Sequence, residues 1–141
     1  MKVFVDFDDV LFNTGAFIAH LKNIFAEFGI SEVLFTETYE AMRTAAHGGN
    51  FCYRFDKHVA KISEHKVVDE GALIGALEEA LKNTEAFVFA DSKEFLRFLT
   101  ERGHDVRVLS FGDQGFQTNK IQASGIELLV NEVIVTNEDK E

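Results

Sequence analysis

Lys2-Val3-Phe4-Val5-Asp6-Phe7-Asp8-Asp9-Val10-Leu11-Phe12 stands at the start of a 141-residue chain. Its β-branched and aromatic first half predicts a short buried strand, which breaks off into Asp6, Asp8 and Asp9. Carboxylates at a strand end pack badly, but in an open parallel α/β sheet the carboxyl ends of the strands are where ligands bind. Side chains alternate along a strand, so Asp6 and Asp8 are expected on one face. Two carboxylates held side by side repel each other unless a cation or a proton lies between them. The pair therefore predicts a magnesium site, with one Asp placed to attack phosphorus and the other to move a proton.

Composition bounds what surrounds this stretch. With 46% apolar residues, the chain can build the core of one domain, or of one domain with an inserted module. A net charge of -10 without a basic stripe argues against a nucleic-acid partner. The single cysteine, Cys52, cannot form an intramolecular disulfide, and no Cys/His pair has zinc-ligand spacing, which predicts a reducing, cytoplasmic setting. No apolar run approaches the roughly 18 residues of a membrane span, so no membrane partner is expected. The 15 Phe residues fall mostly at helical or strand spacing, so they are read as core. Cys52, His20, His58, His65 and His104 are given structural readings only.

Further along, Phe17, Leu21, Ile24, Phe25 and Phe28 mark an amphipathic helix that Gly29 can end. Helical pieces are expected over Thr36 to Ala46, Phe55 to Ser63 and Glu70 to Lys82, the last capped by Asp69, with a flexible turn at His47-Gly48-Gly49-Asn50. Asp91-Ser92-Lys93-Glu94 has a capping-box pattern opening a helix to Gly103. Val106 to Leu109 reads as a strand, Gln114 to Ser124 as a helix ended by Gly125, and Glu132 to Thr136 as a third strand. Strands separated by helices imply an α/β plan with parallel pairing. Ser110 then takes the same topological place as Asp6: a strand's carboxyl end, before a Gly-containing turn and a helix whose N-terminus favours an anion. Asp113 is read as a cap.

The apolar strand followed by Asp6-x-Asp8-x-Val10-Leu11 resembles the first motif of the haloacid dehalogenase superfamily, in which the first Asp is the nucleophile and the second the general acid/base. Asp9 stands where many relatives have Gly. Family members that hydrolyse carbon–halogen bonds generally lack the second Asp, so its presence points to phosphoryl transfer. The resemblance implies a Rossmann-like parallel sheet flanked by helices, formed by residues 1–13 and 85–141, with a helical cap inserted between the first and second strands at 14–84. It also implies that Ser110, with the backbone of Phe111 and Gly112, holds the phosphoryl oxygens. A Lys neutralises the charge in this family. Lys140 is the preferred candidate over Lys120, which is read as mid-helix on a solvated face.

Arg43, His47, Tyr53 and Arg54, around the Gly48-Gly49 turn, are candidate substrate contacts. The family's fourth motif would follow a further strand, and the chain reaches Glu141 first. The expectation is a chain truncated before that motif, with Mg2+ held only weakly by Asp6 and the Asp8 carbonyl and with a bare apolar edge on the first strand that a homodimer would cover. The implied function is a magnesium-dependent phosphohydrolase acting on a small phosphorylated metabolite through an aspartyl-phosphate. The alternative is an impaired relative that binds a phosphorylated ligand or partner without turnover.

Overall fold

The opening run forms β1 (Lys2–Asp6), which pairs in parallel with β2 (Asp105–Phe111), and β2 pairs in parallel with β3 (Glu132–Thr136). These coordinates are a computed structural model, describing residues 1–46 and 51–137. The sheet order is β1-β2-β3, with Asp6 opposite Leu109 and Ser110 opposite Val135. Between β1 and β2 run α1 (Thr14–Glu27), α2 (Glu32–Ala45), α3 (Phe55–Ser63), α4 (Glu70–Leu81) and α5 (Ser92–Glu101); α6 (Gln114–Ser124) connects β2 to β3. Short 3-10 turns at Thr84–Phe87 and Ile126–Leu129 were not expected from the sequence. The α/β plan with parallel strands is the one the sequence predicts.

The helix ends follow local chemistry. Asn13, Ser31, Asp69 and Asp113 accept hydrogen bonds from first-turn amides of α1, α2, α4 and α6, each satisfying a donor that the helix leaves unpaired. Ser31 starts α2 at Glu32, earlier than the expected Thr36. Gly29 and Gly125 take left-handed conformations at φ 80° and 83° as α1 and α6 end. The capping box at Asp91 does not form, because Asp91 makes no side-chain cap. Its neighbour Ser92 is buried and donates 2.8 Å to the Leu11 carbonyl, tying the start of α5 to the acidic turn.

One hydrophobic core runs through the described residues, from Val5, Phe7 and Phe12 through Phe25, Ile62 and Leu77 to Val108 and Ile121. Along β2, Val106, Val108 and Ser110 are buried and alternate with half-buried residues, so one sheet face lies against the core. On the opposite face Arg107 pairs with Asp105 at 3.0 Å and with Glu132 at 2.6 Å. Among the described strands β1 lies at the sheet's edge, and its Phe4 is 57% exposed. Among the described residues no helix is long and apolar enough to cross a membrane.

Candidate functional site

β1 ends at Asp6, and the seven residues before α1 fold into a tight turn that aims Asp8 back toward α6. The amides of Leu11 and Phe12 both donate 3.0 Å to the Phe7 carbonyl, and the Phe7 and Phe12 rings stack at 4.9 Å in the core. Asp9 absorbs the reversal at φ 64°, a left-handed conformation that Asp tolerates better than most side chains. This is where relatives of the resembling family often have Gly. Thr14, opening α1, donates 2.9 Å to Asp8 Oδ1 and accepts 3.2 Å from the Asp9 amide.

α6 supplies the other side. Lys120 Nζ donates 2.8 Å to Asp8 Oδ1, and Gln117 Nε2 donates 2.9 Å to Asp8 Oδ2. The same Gln117 amide group donates 2.7 Å to Ser110 Oγ, linking the ends of β1 and β2 through one side chain. Gly112 leaves room for it: at φ 149°, a Cβ there would stand 2.7 Å from Gln117 Cγ. Lys120 is only 4% exposed, with its ammonium 5.4 to 5.7 Å from the Phe7, Phe12 and Phe116 ring centroids. Carboxylate and aromatic faces together compensate part of its lost hydration. Burial alone would raise the Asp8 carboxyl, but the Lys120 charge and the hydrogen bonds from Lys120, Gln117 and Thr14 outweigh it and hold it below the ordinary carboxylate value. Burial pulls the Lys120 ammonium down, against the attraction of Asp8 and Asp9.

Asp8, Thr14, Gln117 and Lys120 line a cavity of 380 Å³ whose remaining wall comes largely from α1, α2 and the segment around Tyr53. Phe111 and Gly112 also line it, whereas Ser110 is buried beneath Gln117 and does not. Asp6 is exposed at the end of β1 and is not among the lining residues. Arg43 lies beside Glu40 on α2, and Arg54 pairs with Asp56 at 2.9 Å and faces a separate groove with Glu78 and Lys82. Neither arginine reaches the cavity. Lys140 and His47 lie outside the described residues. Tyr53 lines the cavity, but its hydroxyl is committed to His58 Nδ1 at 2.8 Å. Cys52 is half-buried and unpaired, with burial raising its thiol pKa.

Lys120 sits in the site, where a solvated helix face was expected. The Asp8 carboxylate is bonded to Lys120, Gln117 and Thr14, and the metal donor expected of Asp8 is its backbone carbonyl. Gln117 and Thr14 were missed. Their signal is faint: Gln117, Lys120 and Ser124 recur at three- and four-residue spacing, which puts polar side chains on one face of a helix that packs against a sheet. Among the described residues, no three His, Cys, Asp or Glu side chains gather where a metal could be held. One carboxylate and one carbonyl still fit magnesium, which usually keeps several waters and binds through one or two carboxylates together with substrate phosphate.

A parallel sheet with its polar cluster at the carboxyl ends of adjacent strands, and with helices inserted after the first strand, is an open α/β plan, and open α/β sheets generally bind ligands at that end. The fold of this chain is shared with solved structures of haloacid dehalogenase-like hydrolases and of a dehalogenase. It is similar to a haloacid dehalogenase-like hydrolase from Burkholderia xenovorans LB400, with TM-score 0.71 and 22% identity over 96% of this chain and 60% of that one. It is similar also to the HAD-hydrolase YfnB from Bacillus subtilis, bound to magnesium, with TM-score 0.63 and 16% identity over 95% of this chain and 62% of that one. A third similar structure is L-2-haloacid dehalogenase from Xanthobacter autotrophicus with chloropropionic acid covalently bound, with TM-score 0.62 and 16% identity over 95% of this chain and 56% of that one. The chain thus spans about 60% of the length of the structures it matches. No protein-family model and no curated protein matches the sequence.

Proposed function

We propose that the chain is a hydrolase of the haloacid dehalogenase type, and specifically a magnesium-dependent phosphohydrolase acting on small phosphorylated metabolites. The observation that carries this reading is the buried Lys120–Asp8 pair beside the cavity, two residues past Asp6. Burying a lysine costs several kcal/mol of hydration, on the order of what a well-made ion pair returns, so packing alone does not account for it. A cation fixed there suits an arriving anion. That there is a second Asp at all supports phosphoryl transfer over carbon–halogen cleavage, although a dehalogenase is among the similar structures.

Asp6, exposed at the strand end, would attack phosphorus, breaking the bond to the leaving oxygen and forming an aspartyl-phosphate. Water would then attack the same phosphorus, release phosphate and regenerate Asp6. Asp8, kept ionised and oriented by its three partners, is suited to take the proton of that water. Protonating the leaving oxygen would require Asp8 first to acquire a proton. Magnesium, held by the Asp6 carboxylate and the Asp8 carbonyl, would offset phosphoryl charge. Gln117 and Thr14 act by fixing Asp8. The helical segment 14–84 is read as the cap over this site, and Lys140 is kept as a second candidate for charge neutralisation.

The second reading, ligand binding without turnover, is favoured by the small number of metal donors among the described residues. One assay separates the two. With p-nitrophenyl phosphate and magnesium chloride the protein should release p-nitrophenol steadily, and Asp6→Asn should abolish release. Phosphate binding without release would select the second reading; undiminished release by Asp6→Asn would remove Asp6 from the chemistry.

A further inference from the structure

The cavity beside Asp8 is polar mainly at one end. Its floor is Asp8, Thr14, Gln117 and Lys120, bonded to one another. Its wall is largely apolar: Phe17 and Ile18, four and three residues before Leu21 on α1, share a side of that helix with it, and Phe35 and Tyr39 of α2 face them. Phe116 closes the side next to the floor.

The polar atoms that do reach the wall are largely committed. The Tyr53 hydroxyl donates to His58, and burial raises its pKa. Lys22 is paired with Glu32 at 3.1 Å, and its ammonium lies 5.6 Å from the Phe35 ring centroid. Thr36 and Glu40 are exposed residues at the rim. A sugar or polyol in this space would surrender its hydroxyls' water without finding partners, whereas a ring or a branched alkyl group would be matched by ring faces and methyl groups. The volume of 380 Å³ suits a ligand of one or two rings.

Resting on the phosphohydrolase reading above, we infer that the substrate is a phosphate monoester of an aromatic or bulky apolar alcohol, its phosphoryl group at the Asp8–Lys120 floor and its leaving group against Phe17, Ile18, Leu21, Phe35 and Tyr39. Sugar and glycerol phosphates are the class this wall rejects. Discrimination arises because an apolar pocket leaves a hydroxylated ligand's polar groups unpaired.

Binding and turnover test this separately. With magnesium chloride present, calorimetric titration with 1-naphthylmethylphosphonate, which cannot be hydrolysed, is compared with titration with glycerol 3-phosphate and ribose 5-phosphate. The naphthyl ligand should bind at least ~10-fold more tightly than either. Ile18→Gln, which places an amide in the wall at similar volume, should erase most of that advantage while leaving the affinity for inorganic phosphate unchanged. If Ile18→Gln does not fold, as judged by circular dichroism, Tyr39→Ala takes its place, and the comparison of ligands on the unaltered protein decides in any case. Equal affinity for the three ligands, or hydrolysis of glycerol 3-phosphate as efficient as that of naphthyl phosphate, overturns the inference and leaves the phosphohydrolase reading intact. Naphthyl-selective binding with no hydrolysis of any ester removes the phosphohydrolase reading and leaves the ligand class standing.

Discussion

Lys120 has the largest consequences of any single side chain in the site. Its ammonium is almost wholly withdrawn from water and answers one carboxylate, so Lys120→Met should leave Asp8 with two neutral donors and no counter-charge. Removing one partner of a buried pair typically costs about 3 kcal/mol. Urea unfolding at pH 7 should show a loss of that order, and equal stability of variant and parent would mean the pair is energetically idle. The pH dependence has a definite sign. Asp8 is more acidic folded than unfolded, so its contribution is present above the ordinary carboxylate pKa and lost as pH falls through its lowered folded-state value. The deficit of Lys120→Met should therefore shrink in acid. Sequence reading put Lys120 in solvent because a lysine in the middle of a short helix normally points there. What it could not supply was the path of the turn after β1, which brings Asp8 across to α6. The place of Asp6 at the end of β1 and the cap role of Asp113 were legible because strand ends and helix starts are local features.

Among the elements, α2 and α3 are joined through a buried histidine. His58 Nε2 donates to the Phe35 carbonyl at 3.2 Å and meets the Thr38 hydroxyl at 2.9 Å, while Nδ1 accepts from Tyr53. Both ring nitrogens are used by the neutral imidazole, and Tyr53 in turn packs on Phe116 of α6 at 5.6 Å between ring centroids. Burial lowers the His58 pKa to about 4, outweighing the bond to Phe35. The folded state therefore binds this proton later than the unfolded chain, whose histidine titrates near 6.5. Stability is full above that value and falls by about 3 kcal/mol as pH drops toward 4. An NMR titration should find the His58 ring uncharged down to about pH 5; a midpoint near 6.5 would contradict the arrangement. The structural reading of His58 in the sequence was sound, although nothing there identified Tyr53 or Thr38 as its partners. The helices themselves were well marked, α3 and α6 to the residue, because apolar spacing agrees with end signals such as Asp69 before α4 and Gly125 after α6. The capping box at Asp91 failed because Ser92 had a better acceptor in the Leu11 carbonyl, 81 residues away in sequence.

At the scale of the whole molecule, parallel pairing was legible from alternation of elements, and the fold is shared with structures of which the chain spans about 60%. Among the described strands nothing covers the outer edge of β1, where Phe4 is over half exposed. An apolar edge strand readily pairs with another chain. Sedimentation velocity across a concentration series should show self-association that Phe4→Lys suppresses; a strictly monomeric parent would show that the edge is inert. On the proposed mechanism Asp6 would become covalently phosphorylated during turnover. Acid quenching during turnover of a 32P-labelled aryl phosphate, followed by peptide mapping, tests it directly. The label should appear on the peptide containing Asp6 in the parent protein and be absent from Asp6→Asn. Steady hydrolysis with no label on that peptide, or with label elsewhere, would contradict the account.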